Sequence, residues 1–168
     1  DIRNSIERSS ARETAARVAA GTVARKFLEV FGISVGSFVE SIGGIYSSEN
    51  FFNHLLQNKP LSKKSGWYFS DKADKSLVRV LDKNQEKKII SKIKLAKKKG
   101  DTLGGTFIVV ATGLPSGIGS FMHYDRKLDA DITSAIMSIN AIKGVEIGQG
   151  FKEAELYGSK VNDEIIRK

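Results

Sequence analysis

Read for the spacing of apolar and polar positions, the chain divides into three helix-then-strand pairs. The first helix is predicted to start at Ser9 or Ser10 and to run to about Phe31. It carries six alanines (Ala11, Ala15, Ala16, Ala19, Ala20, Ala24) with Val18, Val23, Phe27 and Val30. Small and apolar residues therefore occupy nearly every face, as in a helix packed on several sides. Ser10 and Glu13 have the spacing of a capping box, and Gly32 suits a C-terminal cap. Residues 33–42, ISVGSFVESI, alternate in part and predict a strand ending at Gly43-Gly44.

A second helix, from about Lys83 to Lys99, aligns Ile89, Ile90, Ile93 and Ala96 on one stripe under a cover of eight lysines. Thr106–Thr112 is β-branched, short and bounded by glycines, which predicts a buried strand. A third helix over Leu128–Ile139 places Leu128, Ile132, Ala135, Ile136 and Ile139 on one face as core. The following KGVEIGQG predicts a short strand, and a last short helix covers about Lys152–Tyr157. Residues 46–81 are the least regular: SENFFNHLL suits a short helix, while NKPLSKKSG and SDKADKS suit exposed loops. The three pairs share no fixed period, which excludes a solenoid and leaves helices layered against sheets, α/β or α+β.

At 168 residues with 40% hydrophobic content, one core and a single domain over 1–168 are expected. The absence of cysteine excludes disulfides and thiolate chemistry and fits a reducing compartment. No apolar run approaches a membrane span, and no signal-peptide pattern opens the chain. The chain starts at Asp1 rather than Met with helical pattern almost at once, so it is expected to be a piece of a longer protein. The net charge of +8 suggests a polyanionic partner, but residues 59–99 alone hold fourteen Lys or Arg against four Asp or Glu. Basicity is thus a property of one segment, and a solvated lysine-rich helix explains it most simply. No aromatic residues interleave with those lysines as base stacking requires, which weighs against nucleic acid.

Candidate chemistry concentrates in RSSARETAARVAAG, residues 8–21. A helix N-terminus presents free N–H groups and a positive dipole end. Ser9 and Ser10 add hydroxyls, and Arg8 and Arg12 lie one turn apart. An anion site and a plain serine cap with solvated arginines fit this spacing equally. GLPSGIGS follows a strand without opening into a helix, so its glycines read as turns rather than a dinucleotide fingerprint. His54 and His123 are solitary, which gives neither a metal site nor a Ser–His–acid arrangement. Asp129 and Asp131 suit the start of a helix dipole better than catalysis.

Four phrases, in order, carry a resemblance: DIRNSIERSSARETAARVAAG, GDTLGGTFIVVATGLPSGIGS, KLDADITSAIMSINAIKGVEIGQGF and GSKVNDEI. Together they resemble the chorismate synthase family, with the match best over residues 1–45 and 78–165 and a variable lysine-rich region at 46–77. The resemblance implies an α+β fold, a β-α-β sandwich with helices packed between antiparallel sheets. It implies a lyase of the shikimate pathway, which leads to the aromatic amino acids. Such enzymes eliminate phosphate from 5-enolpyruvylshikimate-3-phosphate in an anti 1,4 sense, with reduced FMN not consumed overall. It further implies a cytoplasmic homotetramer, some members of which reduce their own flavin with NADPH. Arg8, Ser9 and Ser10 match the family's flavin-contacting Arg-Ser-Ser; Asn140 and Ala141 match its second flavin-contacting pair; Arg12 matches a substrate-binding arginine. The family's proton-donating histidines match no residue of this chain, so no catalytic residue is assigned. The 168-residue chain alone is therefore expected to be inactive and to bind FMN weakly or not at all. A non-catalytic flavin- or phosphate-binding homologue and a basic nucleic-acid module remain as alternatives.

Overall fold

A two-residue turn sets the register of the only sheet among the described residues. The computed structural model describes residues 1–9, 11–47 and 66–161. Strand β1 (Ser34–Ile42) turns through Gly43 and Gly44 into β2 (Ile45–Tyr46), pairing Ile42 with Ile45. Both glycines have positive φ, +60° and +75°, as a primed hairpin turn demands. Strand β3 (Gly105–Thr112) pairs antiparallel along the other edge of β1, from Ser34 opposite Thr112 to Ile42 opposite Gly105, giving the order β2-β1-β3. Helices α1 (Ile2–Ser9) and α2 (Ala11–Val30) precede the sheet. Helices α3 (Gly66–Ala73) and α4 (Lys83–Lys98) lie between β2 and β3 in sequence. After β3 come a 3-10 turn (Tyr124–Arg126), α5 (Leu128–Met137), a second 3-10 segment (Gly150–Glu155) and α6 (Gly158–Val161). The fold is α+β, and the chain clusters into two compact units: residues 1–19 with 116–168, and residues 20–115.

The second unit holds the sheet and the buried core. Phe38 of β1 meets Phe69 and Ala73 of α3, with Leu81, Ile108 and Val110 packed around them. Two glycines allow this contact. A Cβ on Gly66 would lie 2.7 Å from the Ser34 carbonyl, 2.8 Å from Gly36 N and 2.9 Å from the Val110 carbonyl. The first turn of α3 thus rests directly on the strands' backbone. Its free N–H groups are met by strand hydroxyls: Gly66 N donates to Thr112 Oγ1 and Trp67 N to Ser34 Oγ, both at 2.9 Å. Farther along, β1 carries a bulge between Val39 and Ser41. Buried Gln85 of α4 donates there to the Glu40 carbonyl at 2.6 Å and to the Ile45 carbonyl at 3.1 Å, tying the helix to both strands of the hairpin.

Several expectations need correction. The first helical segment begins at Ile2, because Asp1 Oδ1 accepts the Arg3 N–H as an N-cap does, and Ile2 and Ile6 repeat at helical spacing. The Ser10 cap lies outside the described residues, as do His54 and the SENFFNHLL helix. Helix α2 ends as predicted at Gly32 (φ +74°), with Ile33 N bonded to the Leu28 carbonyl at 3.1 Å. Its faces are not packed on several sides, however: Val23 is 72% exposed and Val30 80%, since no described element covers them. β3 forms where predicted but is only half covered. Ile108 and Val110 face α3, whereas Phe107 and Val109 are exposed on the other face. SDKADKS is not wholly loop, because Ser70 and Ala73 are buried within α3. The α5 stripe is only partly buried and Ala135 is exposed, so it is not core. KGVEIGQG forms no strand, since no described segment supplies its ladder partner. The predicted helix at 152–157 is instead the 3-10 segment followed by α6.

Trp67, the single tryptophan, lies beneath Arg25 of α2, whose guanidinium carbon is 3.7 Å from the ring centroid. Glu29, one turn on, accepts from Lys26 Nζ at 3.0 Å, near the Trp67 indole. The Lys26 hydrogen bond chiefly, and the indole next, hold the Glu29 carboxyl below the ordinary glutamate value. A lowered folded-state pKa stabilises the fold above the unfolded value, and that contribution is lost as pH falls through the folded value. Trp67 fluorescence in urea titrations should therefore show a stability loss below about pH 4.5 that is smaller in Glu29→Gln. By the same probe, Gly66→Ala should lower stability by roughly 1–3 kcal/mol, because the added methyl meets backbone atoms that cannot rotate away.

Candidate functional site

The site is built within the unit formed by residues 1–19 and 116–161 of the described chain. Acids favour the start of α5, where Asp129 and Asp131 occupy the first turn. The helix stops at Ser138, the C-cap, whose N–H returns to the Ser134 carbonyl at 3.0 Å. The chain then turns tightly, with Ile139 N on the Ile136 carbonyl at 3.0 Å and Ile142 N on the Ile139 carbonyl at 3.2 Å. Ala141 takes up a left-handed conformation, φ +70°, which disfavours any residue with a Cβ by roughly 1 kcal/mol. The apolar spacing of α5 gives no hint of this turn.

Asn140 spans the gap to the N-terminal helix. Its Nδ2 donates to the Ser9 carbonyl at 2.6 Å, joining residues 131 positions apart. Ser9 is the last residue of α1, so its carbonyl has no donor within that helix, and the amide meets an acceptor left over by the helix end. Asn140, Ala141, Arg8 and Ser9 are all exposed. Of the predicted site residues, the structure therefore brings Ser9, and Arg8 beside it, together with Asn140 and Ala141. Ser10 lies outside the described residues.

A helix does begin within this stretch, at Ala11, but Ser9 belongs to the end of the preceding helix. Ser9 stands at a helix C-terminus, and its hydroxyl already donates to the Ser5 carbonyl at 2.7 Å, leaving it to act as an acceptor. Arg8 has no ion-pair partner among the described residues. Arg12, in the first turn of α2, pairs with Glu7 at 2.9 Å on the surface, with its side chain 74% exposed. Such a pair is worth about 0–1 kcal/mol, so an anionic ligand can displace Glu7 at little cost. His123 precedes the 3-10 turn, with its backbone N on Ser120 Oγ at 3.1 Å. An open concavity of about 620 Å³ runs along α5, lined in part by Lys127, Thr133, Ser134, Ser138 and Ile147. None of Arg8, Ser9, Arg12, Asn140 or Ala141 lines it.

Fold and site together define an α+β protein in which an N-terminal helix end is stitched to the turn after a later helix. The sequence model of the family described as chorismate synthase matches residues 1–168, and the chain belongs to that family. It is 51% identical over 164 residues to a chorismate synthase of Chloroherpeton thalassium, covering 98% of this chain and 41% of that protein. It is 48% identical over 165 residues to one of Oceanobacillus iheyensis, covering 98% of this chain and 40% of that one. A crystal structure of chorismate synthase superposes with a TM-score of 0.87 at 45% identity, over all of this chain and 49% of that one. The chain thus spans about two fifths of the length of the curated relatives it matches. Among the described residues, no helix is long and apolar enough to cross a membrane.

The stitch itself is open to measurement. Asn140→Ala should lower stability by about 1 kcal/mol, the net worth of one hydrogen bond, in urea titrations followed by far-UV circular dichroism. Ala141→Gly should leave stability equal or slightly higher, because glycine adopts positive φ without the Cβ conflict.

Proposed function

We propose that this chain supplies one wall of the flavin and substrate pocket of a chorismate synthase. Arg8, Ser9, Ser10, Asn140 and Ala141 meet FMN, and Arg12 holds an anionic group of 5-enolpyruvylshikimate-3-phosphate. The observation that carries the reading is the Asn140–Ser9 hydrogen bond, which joins two separate flavin-matching phrases. The donor set suits the cofactor. An exposed guanidinium with no acidic partner among the described residues is free for a phosphate, and the exposed turn at Asn140–Ala141 offers backbone and amide groups beside it. When bound, reduced FMN supplies the electronic step of the elimination. The chain's own residues bind and orient, and fixed positive charge stabilises phosphate as it departs.

On this reading the whole enzyme is a cytoplasmic homotetramer on the route to the aromatic amino acids. The 168-residue chain by itself turns over no substrate and binds FMN only weakly. The test replaces the matching stretch of the Chloroherpeton thalassium relative with this chain. The chimera should form chorismate when reduced FMN is supplied, whereas the isolated chain should not. Arg8→Ala in the chimera should weaken FMN about tenfold or more, the loss of one charge-assisted hydrogen bond. A folded chimera that takes up no FMN, or turnover by the isolated chain, would refute the proposal.

A further inference from the structure

A second tie holds the loop that carries Asn140. Arg17 Nη1 donates to Ser138 Oγ at 2.8 Å, and Ser138 Oγ donates onward to the Ala135 carbonyl at 2.7 Å. A hydroxyl has one proton, so with that proton committed to Ala135 the oxygen can only accept from Arg17. The guanidinium is itself oriented, because its Nε is ion-paired with Glu13 one turn earlier on α2. A planar fork can serve both partners at once, whereas the point charge of a lysine cannot keep that geometry. Ser138 is the C-cap of α5, two residues before Asn140.

One hydrogen bond at Asn140 would let the turn pivot about that bond. Two ties, from the end of α1 and from the second turn of α2, fix its orientation as well as its position. The Arg17–Glu13 pair is exposed and adds little to stability, so stability alone does not account for the arrangement. We infer that Arg17 is a positioning residue for the Asn140–Ala141 turn: acting through Ser138, it sets the angle at which that turn meets the flavin. The inference rests on the proposed flavin reading and extends it to a residue that touches no ligand itself.

Hydrogen exchange of the 168-residue chain reads the tie directly, because the Ile139 and Ile142 amides are bonded within the turn. Arg17→Ala and Ser138→Ala should each speed exchange there severalfold. The double variant should be no worse than the worse single one, Ser138→Thr should match wild type, and Arg17→Lys should not restore protection. In the chimera, Arg17→Ala should raise the FMN dissociation constant about five- to tenfold and alter the absorbance band of bound flavin, with the substrate KM unchanged. Unchanged exchange, additive single effects, or a loosened turn with unaltered FMN affinity would each overturn the inference. Failure of the wild-type chimera to take up FMN would instead overturn the flavin reading and this role with it. Should Arg17→Ala not fold, Ser138→Ala gives the same readouts without removing a charge.

Discussion

The hydrogen bond from Asn140 to the Ser9 carbonyl is the constraint on which the unit holding the candidate site depends. The end of α1 leaves a carbonyl without a helical donor, and the turn after α5 brings an amide to it. That turn has its shape because Ala141 accepts a left-handed backbone, an unfavourable state that persists only when its surroundings fix it. On the proposed flavin reading, a ligand meeting this turn would find its contacts already placed, leaving little ordering for binding to supply. Arg8 has no ion-pair partner among the described residues and Arg12 is held by a weak surface pair, so positive charge near that turn remains available.

The other unit has a different logic. There the backbones of α3 and β1 approach so closely that only glycine fits at residues 36 and 66, and hydroxyls of Ser34 and Thr112 satisfy the helix start. The result is a well-fixed small sheet with one covered face. Its other face and the outer stripe of α2 leave Phe107, Val109, Val23, Phe27 and Val30 exposed. Apolar surface of that extent needs a cover in water. The matched relatives are more than twice as long as this chain, which leaves ample sequence in them for such a cover.

The elements with strong periodicity or β-branched runs were readable in the sequence: α2, α4, α5, β1 and β3 lie within a few residues of expectation. Burial was less readable, because an alanine-rich helix and a valine-rich strand announce an apolar face without saying what covers it. The predicted strand at KGVEIGQG failed for a related reason, since a strand exists only where a neighbour offers a ladder. Helix α3 was hidden because its charged residues look like loop, while its anchors, Gly66, Phe69 and Ala73, signal burial only once the sheet is in place. The site divided in the same way. Arg8 through Arg12 stand out by charge and hydroxyls, whereas Asn140 and Ala141 are marked only by family resemblance. Nothing in the residues alone shows that an asparagine will reach across 131 positions to a helix end.

The central claim is that the Arg8–Ser9 helix end and the Asn140–Ala141 turn act as one flavin wall. Backbone amide shifts of the isotope-labelled chain during an FMN titration into the millimolar range test it most directly. The expected result is that the Ser9 and Ala141 amides move together with a single weak dissociation constant, and that Asn140→Ala abolishes both responses. Shifts confined to the lysine-rich helix Lys83–Lys98, or shifts at only one of the two segments, would contradict it.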